Sequence, residues 1–138
     1  MFKKTLTMLT MCALMLGTVM VVPTWASNYQ DTSFNFTMDT KDVYSELRMK
    51  TDSSSVYLKC TKSSRKGAQY NAKVYGASTK NAKKKNLSNG HTYTLKAGEY
   101  KYMINEVSER GYAYACIRAS RNYMYSCTFS NLWSPDSI

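Results

Sequence analysis

From Ser33 onward the chain alternates large apolar and polar residues with a period of two, the spacing at which successive side chains leave opposite faces of a β-strand. Phe34, Phe36 and Met38 point one way while Ser33, Asn35 and Thr37 point the other. Val43, Leu47 and Met49 stand against Tyr44, Glu46 and Arg48, and Val56, Leu58 and Cys60 against Tyr57, Lys59 and Thr61. Tyr70, Ala72 and Val74 form a fourth run that ends at Gly76; Tyr93 with Leu95 forms a fifth, and Tyr100, Tyr102 and Ile104 a sixth. On these faces Tyr70, Tyr93, Tyr100 and Tyr102 read as core. Polar or Gly-containing segments separate the runs, as turns do: Ser63 to Gly67, Lys96 to Glu99, and Glu109 to Gly111. The expected fold is an all-β, single antiparallel β-sandwich of about 7–8 short strands, with a small barrel as the other closed solution. No internal repeat is evident.

The longest pair of runs, Tyr112 to Ala119 and Tyr123 to Trp133, reads as a hairpin with Arg121 and Asn122 at its tip. Counting back from that tip sets Cys116 opposite Cys127, Tyr114 opposite Phe129 and Arg118 opposite Tyr125. Facing residues have Cβ atoms about 4.5–5.5 Å apart. A disulfide needs roughly 3.5–4.5 Å, so a local pinch would close a Cys116–Cys127 bridge. Cys60 joined to either partner, or three buried thiols, are the alternatives.

Ahead of the β pattern stands a different kind of segment. Lys3 and Lys4 precede an apolar run from Leu6 to Val22, and Thr24-Trp25-Ala26 puts small residues at the −3 and −1 positions of a cleavage site. Residues 1–26 are therefore expected to be a signal peptide, and residues 27–138 a single secreted domain of about 112 residues, extracellular or wall-associated. Retention of the segment as an N-terminal anchor is the alternative. Cleavage removes Lys3 and Lys4 and lowers the formal charge of the chain from +10 to +8.

A cationic exported domain attracts anionic polymers and membrane surfaces. The sharpest charged feature is Lys80, Lys83, Lys84 and Lys85, in the long polar stretch from Ala77 to Gly90, which is expected to be an exposed and mobile loop. Tyr75 and Tyr93 flank it. All 12 tyrosines lie after the expected signal. Tyr112, Tyr114, Tyr123 and Tyr125 share one face of the expected hairpin with Arg118, which would make either an aromatic and cationic contact platform or a tyrosine-rich core.

For catalysis the inventory is sparse. His91 is the one histidine and follows the turn dipeptide Asn89-Gly90. It would need Cys60, Cys116 or Cys127 beside it to make a nucleophile and base pair. Glu106 and Glu109 are the closest carboxylates and share one loop, which does not build a two-carboxylate cleft. No metal site and no cofactor motif is expected.

Phe34-x-Phe36, the run Arg48-Met49-Lys50-Thr51-Asp52 into Val56-Tyr57, the segment Gly90-x-x-Tyr93-x-Leu95-x-x-Gly98 and the closing Trp133-Ser134-Pro135-Asp136-Ser137 together resemble a group of small secreted proteins from Gram-positive bacteria. That resemblance implies an exported, non-catalytic β-sandwich. A fainter one, in size, charge and the C-terminal aromatic strand, is to the lactococcin 972 class of bacteriocins. This chain is longer than members of that class and carries cysteines. The expected function is a secreted, non-enzymatic module that associates with anionic cell-envelope or extracellular polymers. The alternatives are a bacteriocin-like antimicrobial and a small extracellular hydrolase. No specific nucleic-acid partner is expected, and the chain is expected to be a monomer or a weak edge-to-edge oligomer.

Overall fold

A computed structural model describes residues 28–137. The expected signal peptide, 1–26, lies outside the described residues. Among the described residues no helix is long and apolar enough to cross a membrane.

The strands are β1 (Thr32–Ser33), β2 (Phe36–Met38), β3 (Val43–Tyr44), β4 (Arg48–Met49), β5 (Val56–Ser63), β6 (Gln69–Ala77), β7 (Lys85–Asn86), β8 (Tyr93–Lys96), β9 (Tyr100–Met103), β10 (Tyr114–Arg121) and β11 (Cys127–Ser134). They form two antiparallel sheets. The first runs β1-β11-β5-β9 with β2 also on β11, and the second runs β3-β10-β6-β7 with β4 on β10 and β8 on β6. The fold is the expected β-sandwich, and its extra strands are two- or three-residue pieces at the sheet edges.

The core is the inner row of both sheets. Val56, Leu58 and Cys60 of β5, Tyr70, Ala72 and Val74 of β6, and Phe36 and Met38 of β2 are buried, as the alternation requires. Four rings fill the centre: Phe36 lies 4.8 Å from Phe34, 5.1 Å from Tyr70 and 5.6 Å from Phe129, and Tyr70 is 4.8 Å from Phe129. The Tyr70 hydroxyl donates across the sandwich to Asn131 Oδ1 at 2.6 Å, and Asn131 Nδ2 donates to the Phe34 carbonyl at 2.7 Å. Asn131 sits where the β11–β5 register slips. A polar residue is thus tolerated in the core because both ends of its amide are bonded. Among the described residues the core cluster runs from Phe34 to Trp133.

A second clamp closes one end. Lys50, just after β4 of the second sheet, is buried, and its ammonium donates to the Ser54 carbonyl (2.6 Å), the Pro135 carbonyl (2.8 Å) and Asp136 Oδ1 (3.1 Å). Those three acceptors satisfy its three protons. Asp136, just after β11 of the first sheet, also accepts from Thr51 Oγ1 (2.6 Å), Asn28 N (2.8 Å) and Thr51 N (3.1 Å). Burial pushes this carboxyl up, but the bonds from Thr51, Asn28 and Lys50 outweigh it and hold the group down at about 2. Beside this pair, Arg48 of β4 lies 5.2 Å over the Trp133 ring and donates to the Trp133 carbonyl. The segment Arg48 to Asp52 and the closing Trp133 to Ser137 are therefore two halves of one inter-sheet lock.

Three expectations are corrected. Tyr112 to Ala119 and Tyr123 to Trp133 do not pair as a hairpin. Strand β10 pairs residue for residue with β6, from Tyr114↔Ala77 to Arg121↔Tyr70, and its other edge takes β3 and β4. Strand β11 lies in the opposite sheet between β5 and the β1–β2 edge. Residues 122–126 cross the sandwich instead of turning, a span of about 10 Å between stacked sheets. Cys116 consequently stands opposite Tyr75 while Cys127 stands opposite Met38. The Cys116–Cys127 bridge is not formed, and all three thiols are free and buried.

Next, Tyr100, Tyr102 and Ile104 are exposed, because Met103 pairs with Val56 and takes the inward position on β9. Lastly, Met49 is exposed and Lys50 buried, one residue out of phase with the run from Val43. The slip arises at Ser45, whose hydroxyl accepts from Ile117 N at 2.8 Å and interrupts the ladder between β3 and β4.

Candidate functional site

Outward-facing residues of the second sheet build the candidate site. On β10 these are Tyr114, Cys116 and Arg118, on β6 Lys73 and Tyr75, and on β3 Tyr44, for the inward positions are taken by Ala115, Ile117, Ala72 and Val74. The register sets Arg118 between Tyr44 and Lys73. Its guanidinium lies 5.3 Å over the Tyr75 ring and donates to the Tyr75 hydroxyl at 2.7 Å. Arg118 Nε donates to Asp42 Oδ2 at 2.8 Å, and the two form an ion pair. The Asp42 carboxylate above all, with Tyr75, raises the Arg118 pKa further. Tyr44 meets Tyr75 edge to face at 5.6 Å. The Arg118 side chain is thus held between two rings and a carboxylate.

The lysine segment folds back onto this face. Its last part is not loop: β7, Lys85–Asn86, pairs with Tyr75 and Gly76, and Leu87 is fully buried. Gly76 makes the approach possible, since a Cβ there would lie 2.7 Å from Leu87 Cδ1 and 2.8 Å from the Tyr114 carbonyl. Lys84 Nζ is consequently 5.3 Å over the Tyr44 ring, and Lys85 Nζ is 5.9 Å over Tyr112. Lys80 and Lys84 line a cleft of about 280 Å³ with Ser45, Glu46 and Leu47. Among the described residues the ion pairs involve Lys50, Arg110 and Arg118, so Lys80, Lys83, Lys84 and Lys85 carry unpaired charge.

Two stretches that the sequence keeps apart, Lys80 to Lys85 and Tyr112 to Arg118, therefore share one surface. Tyr44 and Tyr75 complete it. Tyr75 was visible as a residue flanking the lysines, whereas Tyr44 was legible only as the polar side of its run. Tyr123 and Tyr125 do not join the platform. They lie past the other end of β10, 5.9 Å apart, with Arg65 4.9 Å over the Tyr125 ring and Tyr123 packed against the core.

Cys116 faces outward but is completely covered. Burial pushes its thiol up to about 12 against the opposing charge of Lys84, and burial likewise pushes Cys60 up to about 11. Thiolates are the reactive form, so both groups are inert at neutral pH. In the 27–138 domain a water-soluble disulfide reagent is expected to modify none of Cys60, Cys116 and Cys127 under native conditions and all of them in denaturant, read by absorbance. Stoichiometric labelling of the folded protein would contradict the burial. His91 is exposed and stacks on Tyr93 at 6.2 Å, away from these covered thiols. Glu106 pairs with Arg110 at 3.7 Å.

Comparison with curated proteins and with solved structures returns no match. A family model does match, over residues 22–137, which spans both sheets, the inter-sheet lock and the lysine and tyrosine face; the chain belongs to the family described as "Protein of unknown function (DUF2712)".

Proposed function

We propose that this chain is an exported, non-enzymatic module that holds anionic envelope polymers on the outer face of its second sheet. The observation that supports it best is the convergence of Lys84 and Lys85 with Tyr44, Tyr75, Tyr112 and Arg118. Lys73, Lys80 and Lys83 add charge around them, and Asp42 and Glu46 offset only part of it. A polymer of sugar or polyol phosphates offers what such a face attracts: repeated anions for the lysines and less polar backbone for the rings. In this reading residues 1–26 direct export. The resemblance to secreted Gram-positive proteins makes teichoic acid the first polymer to test.

The test is co-sedimentation of the 27–138 domain with Gram-positive cell walls, with and without teichoic acids, at low and high salt. Retention is expected to require the acids and to fall steeply with salt. Reversing Lys83, Lys84 and Lys85 to Glu is expected to lower low-salt retention by about tenfold or more while leaving the unfolding midpoint nearly unchanged, since exposed lysines without ion pairs contribute little to stability. Equal retention by the reversed variant would end the proposal.

A further inference from the structure

The other sheet carries a second aromatic surface of different chemistry. Tyr57 of β5 stands directly opposite Tyr102 of β9, and Tyr100 is two residues along on the same face, opposite Lys59. The ring centroids are 5.4 Å apart for Tyr57 and Tyr102, 5.9 Å for Tyr100 and Tyr102, and 6.2 Å for Tyr57 and Tyr100. Tyr100 is 56% exposed and Tyr102 54%. A cleft of about 160 Å³ opens beside them, bounded by Tyr29, Asp31, Tyr57, Tyr102 and Ser134.

Three tyrosine hydroxyls are engaged within the fold. Tyr70 bonds Asn131, Tyr75 bonds Arg118, and Tyr93 bonds Ile104 N. Among the described residues the hydroxyls of Tyr29, Tyr57, Tyr100 and Tyr102 have no such partner, and neither has the exposed Asp31 carboxylate. Asp31 is nonetheless close enough to act on Tyr57, whose pKa is raised first by burial and then by that charge. No lysine or arginine among the described residues bounds the cleft, whose charged side chains are Asp31 and Asp136, the latter held by Lys50.

We propose that this face is a binding site for a neutral pyranose glycan. Inclined tyrosine rings about one sugar unit apart present faces to the axial C–H bonds of successive residues. The phenols and the Asp31 carboxylate supply donors and acceptors for the hydroxyls at the ring edges. A cleft bounded by carboxylates and by no cation repels a polyanion and admits an uncharged polymer, in contrast to the cationic second sheet. A membrane is a poor occupant for so many hydroxyl groups, and a nucleic acid would find no net positive field. The site is independent of the polyanion reading and lies on the opposite side of the sandwich.

The experiment is calorimetric and ¹H–¹³C NMR titration of the 27–138 domain with cello-, chito- and maltohexaose, at low and high salt. At least one hexaose is expected to bind with little salt dependence and to shift the ring resonances of Tyr57, Tyr100 and Tyr102. Tyr102→Ala is expected to weaken that binding about tenfold or more, as does loss of a stacking ring elsewhere. Because Tyr102 is more than half exposed the variant should fold, and Tyr100→Ala provides a second arm should it not. The Lys83, Lys84 and Lys85 reversal is expected to leave glycan binding unchanged, so this site and the polyanion face fail separately. Absence of binding by all three sugars, binding unaffected by either tyrosine variant, or dimerisation of the free protein through this face would overturn the proposal.

Discussion

Asp136→Ala is expected to lower the free energy of unfolding by about 3–5 kcal/mol, because it leaves the buried Lys50 ammonium without its buried, hydrogen-bonded counter-charge. Lys50 is fully covered and keeps the carbonyls of Ser54 and Pro135 and the more distant, partly exposed Asp52 carboxylate at 3.9 Å in the variant, while Thr51 and Asn28 lose the acceptor for their N–H groups. The lock joins β4 of one sheet to β11 of the other, so the loss opens the end of the sandwich. Replacing the pair together by Lys50→Met and Asp136→Leu should recover part of the stability but not all of it, since those backbone donors remain unpaired. The pH dependence follows from the same carboxyl. Its pKa falls from an ordinary 3.8 to about 2 on folding, so the native state binds the proton less tightly than the unfolded chain. The stabilisation is fully present above the ordinary value and is lost as the pH falls through about 2. Urea unfolding at neutral pH and at steps between pH 4 and pH 2 measures both effects. An Asp136→Asn variant should lose this acid-range slope, and a wild-type slope retained in Asp136→Asn would remove Asp136 as its source.

Phe129→Ala is expected to cost about 3–5 kcal/mol, the usual range for deleting a fully buried aromatic ring. Phe129 is 1% exposed and touches the rings of both Phe36 and Tyr70, which come from different sheets. Neither strand can close the resulting cavity. Strand β11 is held on one side by β5 and on the other by β1 and β2, while Tyr70 is fixed by its hydrogen bond to Asn131. Tyr70→Phe, which keeps the ring, should cost less, about 1–3 kcal/mol from the unpaired Asn131 carbonyl. Guanidinium unfolding midpoints order the two variants. A Phe129→Ala loss below that of Tyr70→Phe would show that the aromatic cluster is not the centre of the core.

The inward faces of β2, β5 and β6 were legible because each is an uninterrupted period-two run, in which the larger apolar side decides the core face. β9 departs from the pattern for a physical reason: tyrosine is amphipathic, so Tyr100 and Tyr102 can face water while Met103, between Tyr102 and Ile104, takes the inward position. The run after Val43 failed because the Ser45 hydroxyl takes a ladder position, shifting the phase by one residue. The lysine stretch was legible as the main cationic feature, and Tyr112, Tyr114 and Arg118 as one face. That Lys84 and Lys85 lie over Tyr44 and Tyr112 was not legible, since it depends on the short strand β7 and on the close approach at Gly76. Tyr123 and Tyr125 were drawn into the same face by a hairpin that does not form.

By itself, then, the sequence determines an all-β chain whose alternating runs must bury their apolar sides against one another, because a half-apolar strand has no other stable solution in water. It also carries the segments Arg48 to Asp52 and Trp133 to Ser137 as marked features without saying that they touch. Only the tertiary structure decides which strands are neighbours. Period-two patterning specifies which face of a strand is buried but not which edge it pairs with, and backbone hydrogen bonds are the same for every partner. That choice separates β10 from β11, keeps Cys116 from Cys127, brings Lys50 to Asp136 across the sandwich, and leaves a cationic aromatic face on one sheet with a second tyrosine face on the other.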